Sequence, residues 1–178
     1  VCVIADEAYA DFMEESQSAA TLLPEYENLI VLRTFSKGLG LAGLRAGYLL
    51  AHEAICGNLG RISNPYKVSQ PARRAAAAAL TQTDFARNCR AAIARSKSEL
   101  RRALGRKLLM AHTLDTCPIC LLSHVDGEAD LEKEFLERGV LTYSGVSFDG
   151  LGKNSVRLRV PREDECEKVF AAAREIGA

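Results

Sequence analysis

Arg33-Thr34-Phe35-Ser36-Lys37-Gly38-Leu39-Gly40-Leu41-Ala42-Gly43-Leu44-Arg45-Ala46-Gly47-Tyr48 decides the fold class and the chemistry of this chain. An apolar run, Leu29 to Leu32, leads into it, and a second, Tyr48 to Ala51, leaves it. Between the two lies a glycine-rich loop holding one lysine, with an arginine eight residues further on. A lysine in such a loop is either a solvated charge or a nucleophile, and the residues around it distinguish the two.

Upstream, Val1 to Ala5 is a short continuous apolar run, the pattern of a strand buried on both faces. It ends in Asp6-Glu7-Ala8-Tyr9, which places polar groups at the carboxyl end of a strand, where open α/β sheets take ligands. With Leu29 to Leu32 and Ala46 to Ala51 it predicts part of a mostly parallel sheet. A chain that opens directly on a strand, without an initiator methionine, is expected to begin inside a domain.

Downstream, helices are expected over His52 to Leu59 and Val68 to Leu80, separated by the breaker Asn64-Pro65-Tyr66. A long helix is expected from Asp84, as its cap, to Arg106. Phe85, Cys89, Ile93, Leu100 and Leu104 form its apolar stripe, and its arginines and Lys97 a solvated face. Short strands follow at Leu108 to Ala111, Ile119 to Val125, Val140 to Tyr143 and Ser155 to Val160. Helices at Leu131 to Arg138 and Glu163 to Ile176 complete the pattern, with Gly139 and Gly177 as stops. The fold class is therefore α/β, with a partial large-domain sheet over residues 1–83. A bridging helix and a small α+β C-terminal domain occupy residues 84–178.

At 178 residues, with 48% hydrophobic and 26% charged, the composition is that of a globular chain rather than a disordered one. Lys plus Arg balances Asp plus Glu at 23 each, which gives no reason to expect nucleic acid or a membrane surface as partner. No apolar run approaches the ~20 residues of a membrane span, and no signal-peptide pattern opens the sequence. The expected location is cytoplasmic, with the six scattered cysteines reduced. His112, Cys117, Cys120 and His124 contain zinc-ligand types. On a strand, however, they alternate between faces, and there is no second Cys pair, so no metal site is expected.

The polar residues that end the apolar runs are Asp6, Tyr9, Ser36, Lys37 and Arg45. Together they match the needs of a pyridoxal phosphate site. An amine takes the cofactor aldehyde and later moves a proton at the substrate α-carbon. A carboxylate keeps the pyridine nitrogen protonated. A phenol stands beside the ring oxygen, and a hydroxyl and a guanidinium hold the phosphate.

Asp6-Glu7-Ala8-Tyr9, Thr34-Phe35-Ser36-Lys37 and Gly43-Leu44-Arg45-Ala46-Gly47-Tyr48 resemble the signature of fold-type I pyridoxal phosphate enzymes. Among these, the sequence is most similar to class I/II aminotransferases of the histidinol-phosphate aminotransferase type. The resemblance implies the fold of pyridoxal phosphate-dependent transferases and a role for each residue. Lys37 is the Schiff-base lysine, Asp6 the pyridine-nitrogen partner and Tyr9 the ring-oxygen donor; Ser36 and Arg45 are phosphate ligands. Val156-Arg157-Leu158-Arg159-Val160 is similar to the strand whose arginine clamps the substrate anion. That role falls to Arg157, with Arg159 as runner-up on the same face. Asn64-Pro65-Tyr66 is similar to a segment that follows the lysine loop, which makes Tyr66 a substrate-site candidate.

The implied activity is transamination of an amino acid or amino-phosphate, in a homodimer. Ser147-Phe148-Asp149-Gly150-Leu151-Gly152 is similar to threonine-phosphate decarboxylases of the same fold, so α-decarboxylation is the alternative. A further alternative is the aminotransferase-like sensor domain of a transcription regulator. The family's glycine-rich phosphate loop, its ring-stacking aromatic and an asparagine beside the ring oxygen have no counterpart here. The resemblance therefore implies weak cofactor binding by this chain alone.

Overall fold

A computed structural model describes residues 1–178, apart from the side chain of Thr83. The chain divides into two units, Val1–Cys89 and Arg90–Ala178.

In the first unit, β1 (Val3–Asp6), β2 (Leu29–Thr34) and β3 (Gly47–Ala51) form one sheet in the order β1-β2-β3. β1 and β2 are parallel, with Val3 opposite Leu29 and Asp6 opposite Leu32. The α/β class holds, but β3 runs antiparallel to β2, Thr34 opposite Gly47, so the sheet within this unit is mixed. The connection explains the reversal. Residues 35–46 form a closed loop with no crossover helix, and a parallel return needs one. The loop's base is tight: a Cβ on Gly47 would lie 2.8 Å from the Arg33 carbonyl oxygen.

β1 also departs from expectation. Its apolar sequence suggests burial on both faces, yet it is an edge strand of this sheet and Ile4 is 61% exposed. The inner face instead carries Leu29 and Val31 of β2, both buried. Three short 3-10 turns, at Ala10–Phe12, Glu15–Gln17 and Ala19–Leu22, connect β1 to β2. Helices α1 (Glu53–Ile62) and α2 (Gln70–Leu80) follow β3. Ser69 caps α2, its Oγ accepting from the Ala72 amide at 3.3 Å, and Pro71 sits in the first turn, where its missing N–H costs nothing.

α3 (Thr83–Ala103) differs from its expected limits at both ends. Asp84 lies in the first turn rather than at the cap and pairs with Arg87 one turn on. The helix stops short of Arg106 because Gly105 takes the left-handed conformation, φ +66°.

The second unit holds β4 (Leu108–Met110), β5 (Ile119–His124), α4 (Leu131–Glu137), β6 (Tyr143–Ser144), β7 (Ser155–Arg159) and α5 (Cys166–Gly177). The strands form an antiparallel sheet in the order β4-β5-β7-β6. Its core is Leu100 of α3 and Leu104 just beyond it, Leu122 and Val156 of the sheet, and Phe135 and Phe170 of the helices.

Lys97, expected on a solvated face, is fully buried. Its spacing to Ile93 and Leu100 places it on the apolar stripe of α3. Burial is tolerated because the ammonium finds three acceptors: Thr113 Oγ1 at 2.6 Å, the Leu114 carbonyl at 2.6 Å and the Cys117 carbonyl at 3.3 Å. No helix among the described residues is long and apolar enough to cross a membrane.

Candidate active site

The carboxyl ends of the parallel pair β1 and β2 release the two segments that carry most of the candidate residues. The loop after β2 has a side that packs inward and a side that faces solvent. Phe35 is buried with Ala46, Ala72 and Ala76, and Leu39, Leu41 and Leu44 pack on that cluster. Ser36 stays half-buried and Lys37 exposed. The loop is closed at its base by Phe35 N–H to the Ala46 carbonyl (3.2 Å) and Leu41 N–H to the Phe35 carbonyl (2.8 Å). Gly40, at φ +70°, makes the turn after Lys37.

Lys37 and Tyr9 are brought together: the Lys37 amine stands 5.5 Å from the centroid of the Tyr9 ring. Next to them, Gly38 is buried against Asp11, and a Cβ there would lie 2.6 Å from Asp11 Oδ2. Asp6 ends β1 and turns the chain, its Oδ1 accepting from the Ala8 amide at 3.0 Å. Ser36 donates its amide to Thr34 Oγ1 at 3.1 Å.

Arg45 is the one non-glycine residue with positive φ (51°) among the described residues, and its Nη1 donates to the Ala42 carbonyl at 3.0 Å. A left-handed arginine is a strained choice, of the kind concentrated at functional sites. Tyr66 is 89% exposed beyond α1, and its backbone amide is capped by Asn64 Oδ1 at 2.8 Å.

Arg157 belongs to the second unit and is described there. It lies in the middle of β7, opposite Leu121 on one side and Tyr143 on the other. Its guanidinium carbon is 5.6 Å from the centre of the Tyr143 ring, a cation–π arrangement that orients the group. Arg159, the runner-up, is engaged by Glu165 at 2.6 Å.

No local sequence pattern singles out Glu7. Its side chain is 8% exposed and lies between the two candidate segments. Arg33 Nε and Nη2 donate to its Oε2 at 3.1 and 3.0 Å. The Ala19 amide donates to its Oε1 at 2.6 Å, and the Ser18 hydroxyl lies 2.8–3.0 Å from both oxygens. Burial works against the Arg33 charge, but hydrogen bonds and charge from Tyr48 and Glu7 outweigh it and hold the guanidinium above its usual pKa. Parity was the available signal: Arg33 shares a strand face with Leu29 and Val31, so its charge needs an internal partner.

His124 accepts the Asp126 amide on Nδ1 at 3.1 Å, and Cys120 is buried in the sheet. Among the described residues no group of three His, Cys, Asp or Glu side chains could hold a metal ion.

The sequence profile of the family described as aminotransferase class I and II matches residues 1–172. A histidinol-phosphate aminotransferase of Archaeoglobus fulgidus is 33% identical over 174 residues, which cover 98% of this chain and 51% of that protein. The crystal structure of a histidinol-phosphate aminotransferase from Sinorhizobium meliloti in complex with pyridoxal-5'-phosphate superposes with a TM-score of 0.82 at 24% identity, covering 99% of this chain and 48% of that one. That of L-threonine-O-3-phosphate decarboxylase from Porphyromonas gingivalis superposes with a TM-score of 0.76 at 23% identity, covering 97% and 54%. The chain spans about half the length of the curated relatives it matches.

Proposed function

The chain belongs to the class I and II aminotransferase family, and from that premise we propose that it supplies the lysine-bearing part of a pyridoxal phosphate site used for transamination of an amino acid or amino-phosphate. The observation that carries the proposal is the approach of the Lys37 amine to the Tyr9 ring, 5.5 Å away, at the carboxyl ends of two parallel strands.

The donor set fits the cofactor. Lys37 offers a primary amine to its aldehyde. Asp6 offers a carboxylate, which can accept further hydrogen bonds beside the one from Ala8. Tyr9 offers a phenol, and Ser36 and Arg45 a hydroxyl and a guanidinium for phosphate. Once bound, the cofactor supplies an electron sink for the bond broken at the substrate α-carbon. Lys37 would then move the proton at that carbon, and Tyr9 would hold the amine in place. Arg157, oriented by Tyr143, would bind the substrate's carboxylate or phosphate, and Tyr66 would line the substrate's entry.

Transamination is preferred to decarboxylation because the relative at 33% identity carries an aminotransferase name. Family membership also supports a homodimer acting in the cytoplasm, with a small-molecule amino substrate. A product assay with histidinol phosphate, threonine phosphate and an oxo-acid acceptor tests the proposal. Supplied with the remaining half of the family's fold, the chain is expected to transfer the amino group to the acceptor, and Lys37→Ala to abolish that transfer. Release of carbon dioxide without transfer would establish the decarboxylase instead, and ligand binding without turnover would favour a sensor.

A further inference from the structure

Glu7 joins the segment that carries Tyr9 to the strand that leads to Lys37. It follows Asp6 directly and precedes Tyr9 by two residues. Its amide continues the β1–β2 ladder, donating to the Leu32 carbonyl at 2.9 Å. Its carboxylate takes the fork of Arg33, four residues before Lys37, through Nε at 3.1 Å and Nη2 at 3.0 Å. It also takes the Ser18 hydroxyl and the Ala19 amide, which fix the return of the connection between the strands. Arg33 Nη2 closes the ring by donating to Ser18 Oγ at 2.8 Å.

We propose that Glu7, acting through Arg33 and Ser18, is the positioning residue that sets Tyr9 against Lys37. The proposal rests on the assignment of Lys37 as the cofactor lysine. All the hydrogen-bonding groups around Glu7 are donors, so only an ionised carboxylate satisfies them. A glutamine in its place would turn an NH2 toward donors and leave Arg33 without a counter-charge. The exit of β1 could then rotate away from the exit of β2. The contact between Gly38 and Asp11 lies between the same two segments and would loosen with it.

The test reads position directly. In the protein reductively methylated with 13C-formaldehyde, the Lys37 amine resonance is identified by its loss in Lys37→Arg. A ring-current shift from Tyr9 is expected, retained in Tyr9→Phe and lost in Tyr9→Leu. Glu7→Gln and Arg33→Lys, each shown to be folded by circular dichroism, are expected to lose that shift. Ser18→Ala carries the test if either unfolds. Borohydride trapping of pyridoxal phosphate on Lys37 gives a second readout, expected to slow by at least about tenfold in Glu7→Gln. A wild-type shift and trapping rate in the folded variants, with Lys37 labelled normally, would overturn the positioning role alone. Absence of label on Lys37 in the unsubstituted protein would instead overturn the assignment on which it rests.

Discussion

The Lys37 amine lies 5.5 Å from the centre of the Tyr9 ring, although the two residues sit on loops leaving different strands. Gly38 makes that approach sterically possible, because Asp11 occupies the space its side chain would fill. Gly38→Ala is therefore expected to lower stability by about 1–3 kcal/mol, from overpacking at a buried contact. Urea unfolding measures this. An unchanged midpoint would mean that the two loops are not pressed together as described.

Lys97 is a buried cation whose three partners are neutral oxygens of the 113–117 segment. Lys97→Met keeps the apolar stem and removes the donors, leaving three part-buried oxygens without their partner. We expect a loss of about 1–3 kcal/mol in denaturant unfolding, roughly the cost of one such group. A neutral or stabilising result would show that water replaces the ammonium without penalty.

Glycines in this chain divide by environment. Gly105 is left-handed at φ +66°, and a side chain there would collide with the Gly177 carbonyl. Gly57 lies inside α1 with nothing near its missing Cβ. Gly105→Ala is expected to destabilise by about 1–2 kcal/mol, and Gly57→Ala to stabilise by about 0.5–1 kcal/mol. Paired thermal melts check the opposite signs.

Burial pushes the Cys120 thiol up to about 11, from an ordinary value of 9.0. The unfolded chain therefore loses this proton first as the solution turns alkaline. Cys120's contribution is fully present below pH ~9 and disappears as pH rises through about 11, a difference of about 3 kcal/mol. Unfolding free energies from pH 8 to 11 should fall more steeply for the unsubstituted protein than for Cys120→Ala. Parallel pH profiles would contradict the shift.

The strand end that carries Asp6 and the strand that carries Arg157 are legible in the sequence. Glu7, Arg33 and Lys97 were harder to place, because a charged residue reads as solvated until its partner is known. Arg33 finds Glu7 26 positions away, and Lys97 finds acceptors 16 to 20 residues further on, separations that no local pattern encodes. The direction of β3 was equally hidden, since three apolar runs look alike whichever way they pair.

Every proposed role at this site depends on Lys37 as the residue that takes the cofactor. Incubation with pyridoxal phosphate, borohydride reduction and peptide mass mapping addresses this directly. A phosphopyridoxyl mass is expected on Lys37, formed ahead of the other exposed lysines and reduced in Asp6→Asn and Tyr9→Leu. Label spread over exposed lysines such as Lys133 and Lys153, with Lys37 unmodified, would contradict it.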